Sequence, residues 1–162
     1  WCSSDLIMAR AKTLPTLPTE FSFKSKNWLR SNHIIVNAER LQHNVPPLRR
    51  ERRMDQIATE HAKLMAEEGR LFHIDTPIEL QDRLLLCDDN NGDGQQQRLA
   101  FRRIGMNVGR GGRNQGIGEV HKFMMAALAE RNNIRDNRFT KMGMGTALAD
   151  NGALYLCQIF GG

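Results

Sequence analysis

The sequence predicts an α+β sandwich preceded by an extended arm. Three observations carry that class. Helical periodicity fills residues 31–68 and returns over 118–129, whereas strand-like segments come last. Those last two segments flank Asp150-Asn151-Gly152, and Asn-Gly is a strong hairpin signal because both residues tolerate positive φ. Helices early and a hairpin late is the order of an α+β fold rather than of repeated βαβ units.

Residues 1–32 form the arm. Leu14-Pro15 and Leu17-Pro18 disfavour helix, since each proline pushes its predecessor towards extended geometry. Arg10, Lys12, Lys24, Lys26 and Arg30 outnumber Asp5 and Glu20. Trp1, Leu6, Ile7, Phe21, Phe23 and Trp28 make the segment too apolar for a solvated tail, so it is expected to pack on its own domain or on a partner. Residues 33–162 form the domain. Its first helix starts at a Ser31 or Asn32 cap, repeats Ile34, Ala38, Leu41 and Val45, and stops at Pro46-Pro47. A second helix spans about 49–68, with Met54, Ile57, Ala58, His61, Leu64 and Met65 on one stripe and Gly69 as its stop. The third, over 118–129, puts Val120, Met124, Ala127 and Leu128 together. Strands over 142–149 and 153–160 close the chain.

Size and composition narrow the classes. A chain of 162 residues, 40% hydrophobic and 25% charged, fits one globular domain with an appendage. No apolar run approaches the ~18–20 residues of a membrane-spanning helix. Net charge +5 favours acidic partners without choosing among them. Cys2, Cys87 and Cys157 are too few for a disulfide framework, and Cys157, inside a predicted buried strand, is expected to be an inert core thiol. The chain opens at Trp1, from which export or organelle import followed by cleavage is expected, ahead of a cytoplasmic location.

A series of short fragments carries a family resemblance. Asn37, Arg40 and Leu48 come first, then Ala58, His61 and Met65, then His73. Ile104-Gly105-Met106-Asn107 follows, then Ala127 with Glu130-Arg131-Asn132-Asn133-Ile134, then Phe139 and Gly143-Met144-Gly145. In that order, over roughly 33–162, they resemble the CAP domain shared by cysteine-rich secretory proteins, insect venom antigen 5 and plant pathogenesis-related proteins, and are similar to its short bacterial-type members. The resemblance implies a three-layer α/β/α sandwich. It also implies a cleft where the family sets two histidines and one or two acids, which bind divalent metal in some members. Here His73 keeps its place, Met106 replaces the acid, Glu130 replaces the second histidine, and Ala127 replaces a polar or acidic residue. A thioether is no general base, and one imidazole with one displaced carboxylate falls short of a zinc ligand set. The expectation is a degenerate cleft without catalysis, metal or cofactor.

Other signals are weaker. Asp89, Asn91 and Asp93, with Gly94, match the start of a calcium loop, but Ala100 stands where the closing Glu belongs, so a solvated acidic insertion is expected. Arg49-Arg50-Glu51-Arg52-Arg53 and Arg110-Gly111-Gly112-Arg113 come without any nucleic-acid-binding motif and read as solvated faces. Asn107 is expected to bridge loop backbone, and Arg131 and Asn133 to tie the segment after the third helix to the sheet. The functional expectation is a non-catalytic interaction or scaffold module docked on a larger protein assembly, its arm engaging the partner through Trp1, Phe21, Phe23 and Trp28. The alternative is a secreted protein binding a small apolar ligand, such as a lipid or sterol, among Met106, Met124 and Met125.

Overall fold

A computed structural model describes residues 28–74, 77–86 and 101–162. In chain order its elements are α1 (Trp28–Gln42), β1 (Arg49–Arg50), α2 (Arg52–Glu68), α3 (Pro77–Leu86), β2 (Ile104–Gly111), α4 (Ile117–Ala126), α5 (Leu128–Arg135), β3 (Lys141–Leu148) and β4 (Leu154–Gly161). The strands form one sheet in the order β1-β3-β4-β2, with β1 parallel to β3 and the other pairs antiparallel.

Alternation along β4 builds the layers. Leu154, Leu156 and Phe160 point into a core shared with Ile35 and Val36 of α1, Val120 and Met124 of α4, and Ile134 of α5. Tyr155, Cys157 and Ile159 point the other way, onto Met54, Ile57, Ala58 and Met65 of α2 and Leu80 and Leu84 of α3. Helices therefore cover both faces, the expected α/β/α arrangement. Gly143 and Gly145 set the distance of α2 from β3. A Cβ on Gly143 would stand 2.3 Å from the Met54 carbonyl carbon, and one on Gly145 would stand 2.1 Å from the Thr59 nitrogen. Asp55 secures the contact by accepting the Met144 N–H at 2.9 Å.

On the opposite face Arg40 is fully buried and donates to the carbonyls of Pro46 (2.8 Å), Ile134 (2.9 Å), Asp136 (2.8 Å) and Phe139 (3.1 Å). Burial pulls its pKa down and Asp136 pushes it back up. Arginine stays charged even so, and its fork of five donors answers several carbonyls at once.

Several boundaries differ from expectation. The described α1 includes Trp28, which packs against the core, so residues 28–32 lie in a helix of the domain rather than in the arm. Arg49 and Arg50 form β1 instead of opening α2, because the Arg49 N–H bonds the Thr140 carbonyl and the Glu51 N–H that of Met142. Glu51 then caps α2. Gly69 ends α2 as predicted, left-handed at φ 69°, its N–H on the Met65 carbonyl. The third helix is two helices: Ala127 is extended (φ −89°, ψ 130°) and separates α4 from α5. The hairpin turns at Asp150-Asn151-Gly152 as expected, a three-residue loop in which only Gly152 has positive φ (81°). α3 and β2 have no counterpart in the sequence reading.

Candidate functional site

The positions of interest surround β2, an outer strand of the sheet. Its alternation sends Ile104, Met106 and Val108 towards the α2/α3 layer and Gly105, Asn107 and Gly109 towards α4 and α5.

On the α2 side, the segment after the helix is tied down at three points. His61 is 2% exposed, and its Nε2 lies 2.6 Å from the Phe72 carbonyl oxygen, so Nε2 carries the proton. The two rings meet edge to face at 4.8 Å, and the Arg70 guanidinium sits over Phe72 at 4.5 Å. Ile74 donates its N–H to the Met106 sulfur at 3.5 Å. His73, between these anchors, is exposed. His61 behaves as predicted, as a hydrogen-bonded core residue. Burial is the main force holding its pKa below the ordinary histidine value.

On the α5 side a chain of amides runs from α5 to α1 over one face of the sheet. Asn133 Nδ2 donates to the Asn107 Oδ1 (2.9 Å) and the Met106 carbonyl (3.4 Å). Asn107 Nδ2 donates to the Glu130 carbonyl (3.1 Å) and Gln158 Oε1 (3.2 Å), and Gln158 Nε2 donates to Asn32 Oδ1 (2.6 Å). Asn32, Asn107 and Gln158 are at most 1% exposed, so each bond replaces water that cannot reach them. Asn107 thus bonds the backbone of α5 at Glu130, and Asn133 ties α5 to the sheet as expected. Arg131 does not: it donates to the Met125 carbonyl at 3.2 Å and closes the end of α4. Sequence reasoning missed Asn32 and Gln158. A signal existed in Gln158, a polar residue sharing one strand face with Leu154, Leu156 and Phe160.

Met106 thus lies on the α2 side of β2, where its sulfur takes the N–H of Ile74, the residue after His73. Glu130 is joined by its backbone to Asn107, and exposed Ala127 lies three residues earlier at the α4–α5 break. Among the described residues no three His, Cys, Asp or Glu side chains gather as metal ligands. With a thioether at 106 and a methyl at 127, the residues present do not fit the divalent metal of some family members. The three methionines expected to line one apolar pocket are apart: Met124 and Met125 pack on the α1/α4/α5 core, and Met106 on the α2/α3 core across the sheet. A groove of about 300 Å³ lies instead between α3 and the start of β2, lined by Ile78, Gln81, Asp82, Phe101, Arg102 and Ile104. Cys157 is buried, its thiol pKa pushed up by burial, in keeping with an inert core thiol. Trp28 is partly buried against the core and is not a free arm residue. Trp1, Phe21, Phe23, Cys2, Cys87, Asp89, Asn91 and Asp93 lie outside the described residues. Among the described residues no helix is long and apolar enough to cross a membrane.

Known proteins place the fold. An extracellular SCP-domain protein from Bacillus anthracis superposes with a TM-score of 0.60 at 21% identity, over 82% of this chain and 39% of that one. An outer surface protein of Borrelia burgdorferi gives 0.61 at 12% identity, over 80% and 87% of the two chains. Venom allergen-like protein 4 of Schistosoma mansoni gives 0.57 at 15%, over 85% and 90%. This chain thus spans about two-fifths of the Bacillus protein and most of the other two. No curated protein sequence matches it. The profile described as "CAP: Cysteine-rich secretory protein family" matches residues 34–160, and the chain belongs to that family.

Proposed function

We propose that this chain is a non-catalytic CAP module, docked as a subunit on a larger protein assembly, with a degenerate family cleft. The observation that carries this is the chemistry of the cleft positions. Met106 and Ala127 supply neither a proton-transfer group nor a hard ligand, and Glu130 reaches β2 through its backbone carbonyl. His73 is exposed and belongs to no group of three His, Cys, Asp or Glu ligands among the described residues. What the cleft lacks in reactive groups, the N-terminal segment offers in anchors. Phe21 and Phe23 are costly to leave in water, each contributing about 1.5–3 kcal/mol if covered, and Lys24 and Lys26 beside them suit an acidic rim.

The test is removal of residues 1–27, a cut that spares Trp28 because that residue packs on the core. The shortened chain is expected to melt cooperatively near the full-length temperature, yet to lose its place in the assembly that co-purifies with the full chain. Undiminished association would show that the segment is not the anchor.

A further inference from the structure

β2 is an outer strand of eight residues, and its ladder has a readable phase. Arg103 and Gly162 exchange both N–H···O bonds, at 2.9 and 3.0 Å. Counting on from that pair, Gly105, Asn107, Gly109 and Gly111 turn their backbone groups towards β4, and Ile104, Met106, Val108 and Arg110 turn theirs away from the sheet. At Met106 the outward carbonyl is taken by the Asn133 side chain, which stands where a neighbouring strand's N–H would. Further along, the N–H and C=O groups of Val108, 8% exposed, and of exposed Arg110 point away from β4 with no strand of the described residues beside them.

Sheets usually protect such an edge with proline, a bulge or charge. β2 has no proline, and its register with β4 is unbroken over its whole length. Its one charge, Arg110, is exposed and faces the Tyr155 ring at 5.6 Å, with no carboxylate partner among the described residues. Phe123, 58% exposed, follows directly on the α4 face whose Val120 and Met124 pack at Gly109.

We propose that the edge at residues 108–110 receives an extended acidic segment of a protein partner as an added strand. The partner's backbone bonds to Val108 and Arg110, a carboxylate meets the Arg110 guanidinium, and an apolar side chain covers Phe123. This rests on the reading of the chain as a docked module and gives that docking a recognition mode.

Hydrogen exchange tests it, on the full chain alone and in the assembly that co-purifies with it from its native source. The Val108 and Arg110 amides are expected to exchange readily in the free protein and at least about a hundredfold more slowly in the assembly. Arg110→Pro should lose the partner while keeping the wild-type melting temperature within a few degrees, because the N–H it removes is not used by β4. Arg110→Glu, which leaves the backbone intact, should weaken association by about tenfold or more even if the proline variant misfolds. If a confirmed assembly leaves both amides exchanging freely, the added strand is wrong and the docked-module reading survives. A chain that co-purifies with nothing sinks both. Protection already present in the free chain also overturns the proposal. Independent of concentration, it assigns the edge to the chain's own residues; dependent on concentration, it assigns the edge to a second copy.

Discussion

His61 and His121 are held neutral by their surroundings. Burial is the largest effect on each and lowers both pKa values below the ordinary 6.5; the bond to Phe72 opposes it at His61, and Glu39 opposes it at His121. His121 Nδ1 is buried with no hydrogen-bond partner, so protonating that ring gains it nothing. The unfolded chain takes up these protons near pH 6.5 and the folded one only lower. Stability is therefore complete above that pH and is lost as pH falls through the folded values. Melting temperatures between about pH 7.5 and 4.5 should fall on the acid side, and His121→Leu should make that fall shallower. An unchanged slope would show that His121 takes up its proton at the same pH in the folded and unfolded chains. Asp136 acts in a separate, more acidic window. The Arg138 guanidinium holds its carboxyl below 3.8, so its contribution is lost only as pH drops further.

The contact between α2 and β3 depends on two missing side chains. At Gly145 an added methyl would meet backbone atoms of Ala58 and Thr59 at 2.1–2.3 Å, and backbone cannot swing aside as a flexible side chain can. Gly145→Ala should destabilise the fold by about 3 kcal/mol or more, beyond ordinary overpacking, and urea denaturation would measure it. Loss of under about 1 kcal/mol would mean that α2 can lift off the sheet cheaply. The sequence reading found α2 and the hairpin because their periods are clean: an apolar stripe stopped by Gly69, and apolar runs flanking Asn151-Gly152. It missed β2 because Gly105, Gly109 and Gly111 erase the alternation, and in that strand the bare positions are the ones packed beneath α4 and α5. Nor could propensity reveal the break at Ala127, since alanine is the best helix former. Tertiary bonds from Asn107, Asn133 and Arg131 hold the two helices in their separate places.

In the whole molecule, the site was legible as an order of fragments and illegible as a shape. His73, Met106 and Glu130 were placed by resemblance; that Met106 and Asn107 look to opposite layers follows from strand phase, which needed β2 to be recognised first. The sheet order has a further consequence, for how the chain finds its fold. β1 pairs with β3 across Arg49 and Lys141, and β2 pairs with β4 across Ile104 and Gly161, so only the β3–β4 hairpin joins neighbours in sequence. Closing the other two pairs costs loop entropy before any contact repays it, which places folding on the slow side for a chain of this size. The hairpin is therefore expected to form first, with the β1 end of the sheet joining after the rate-limiting step. In stopped-flow kinetics Leu154→Ala should mainly slow refolding, whereas Leu48→Ala, buried beside β1, should mainly speed unfolding. The reverse pattern would mean that the molecule assembles from its first helix towards its last strand, and that β1 is already seated while the hairpin is still unpaired.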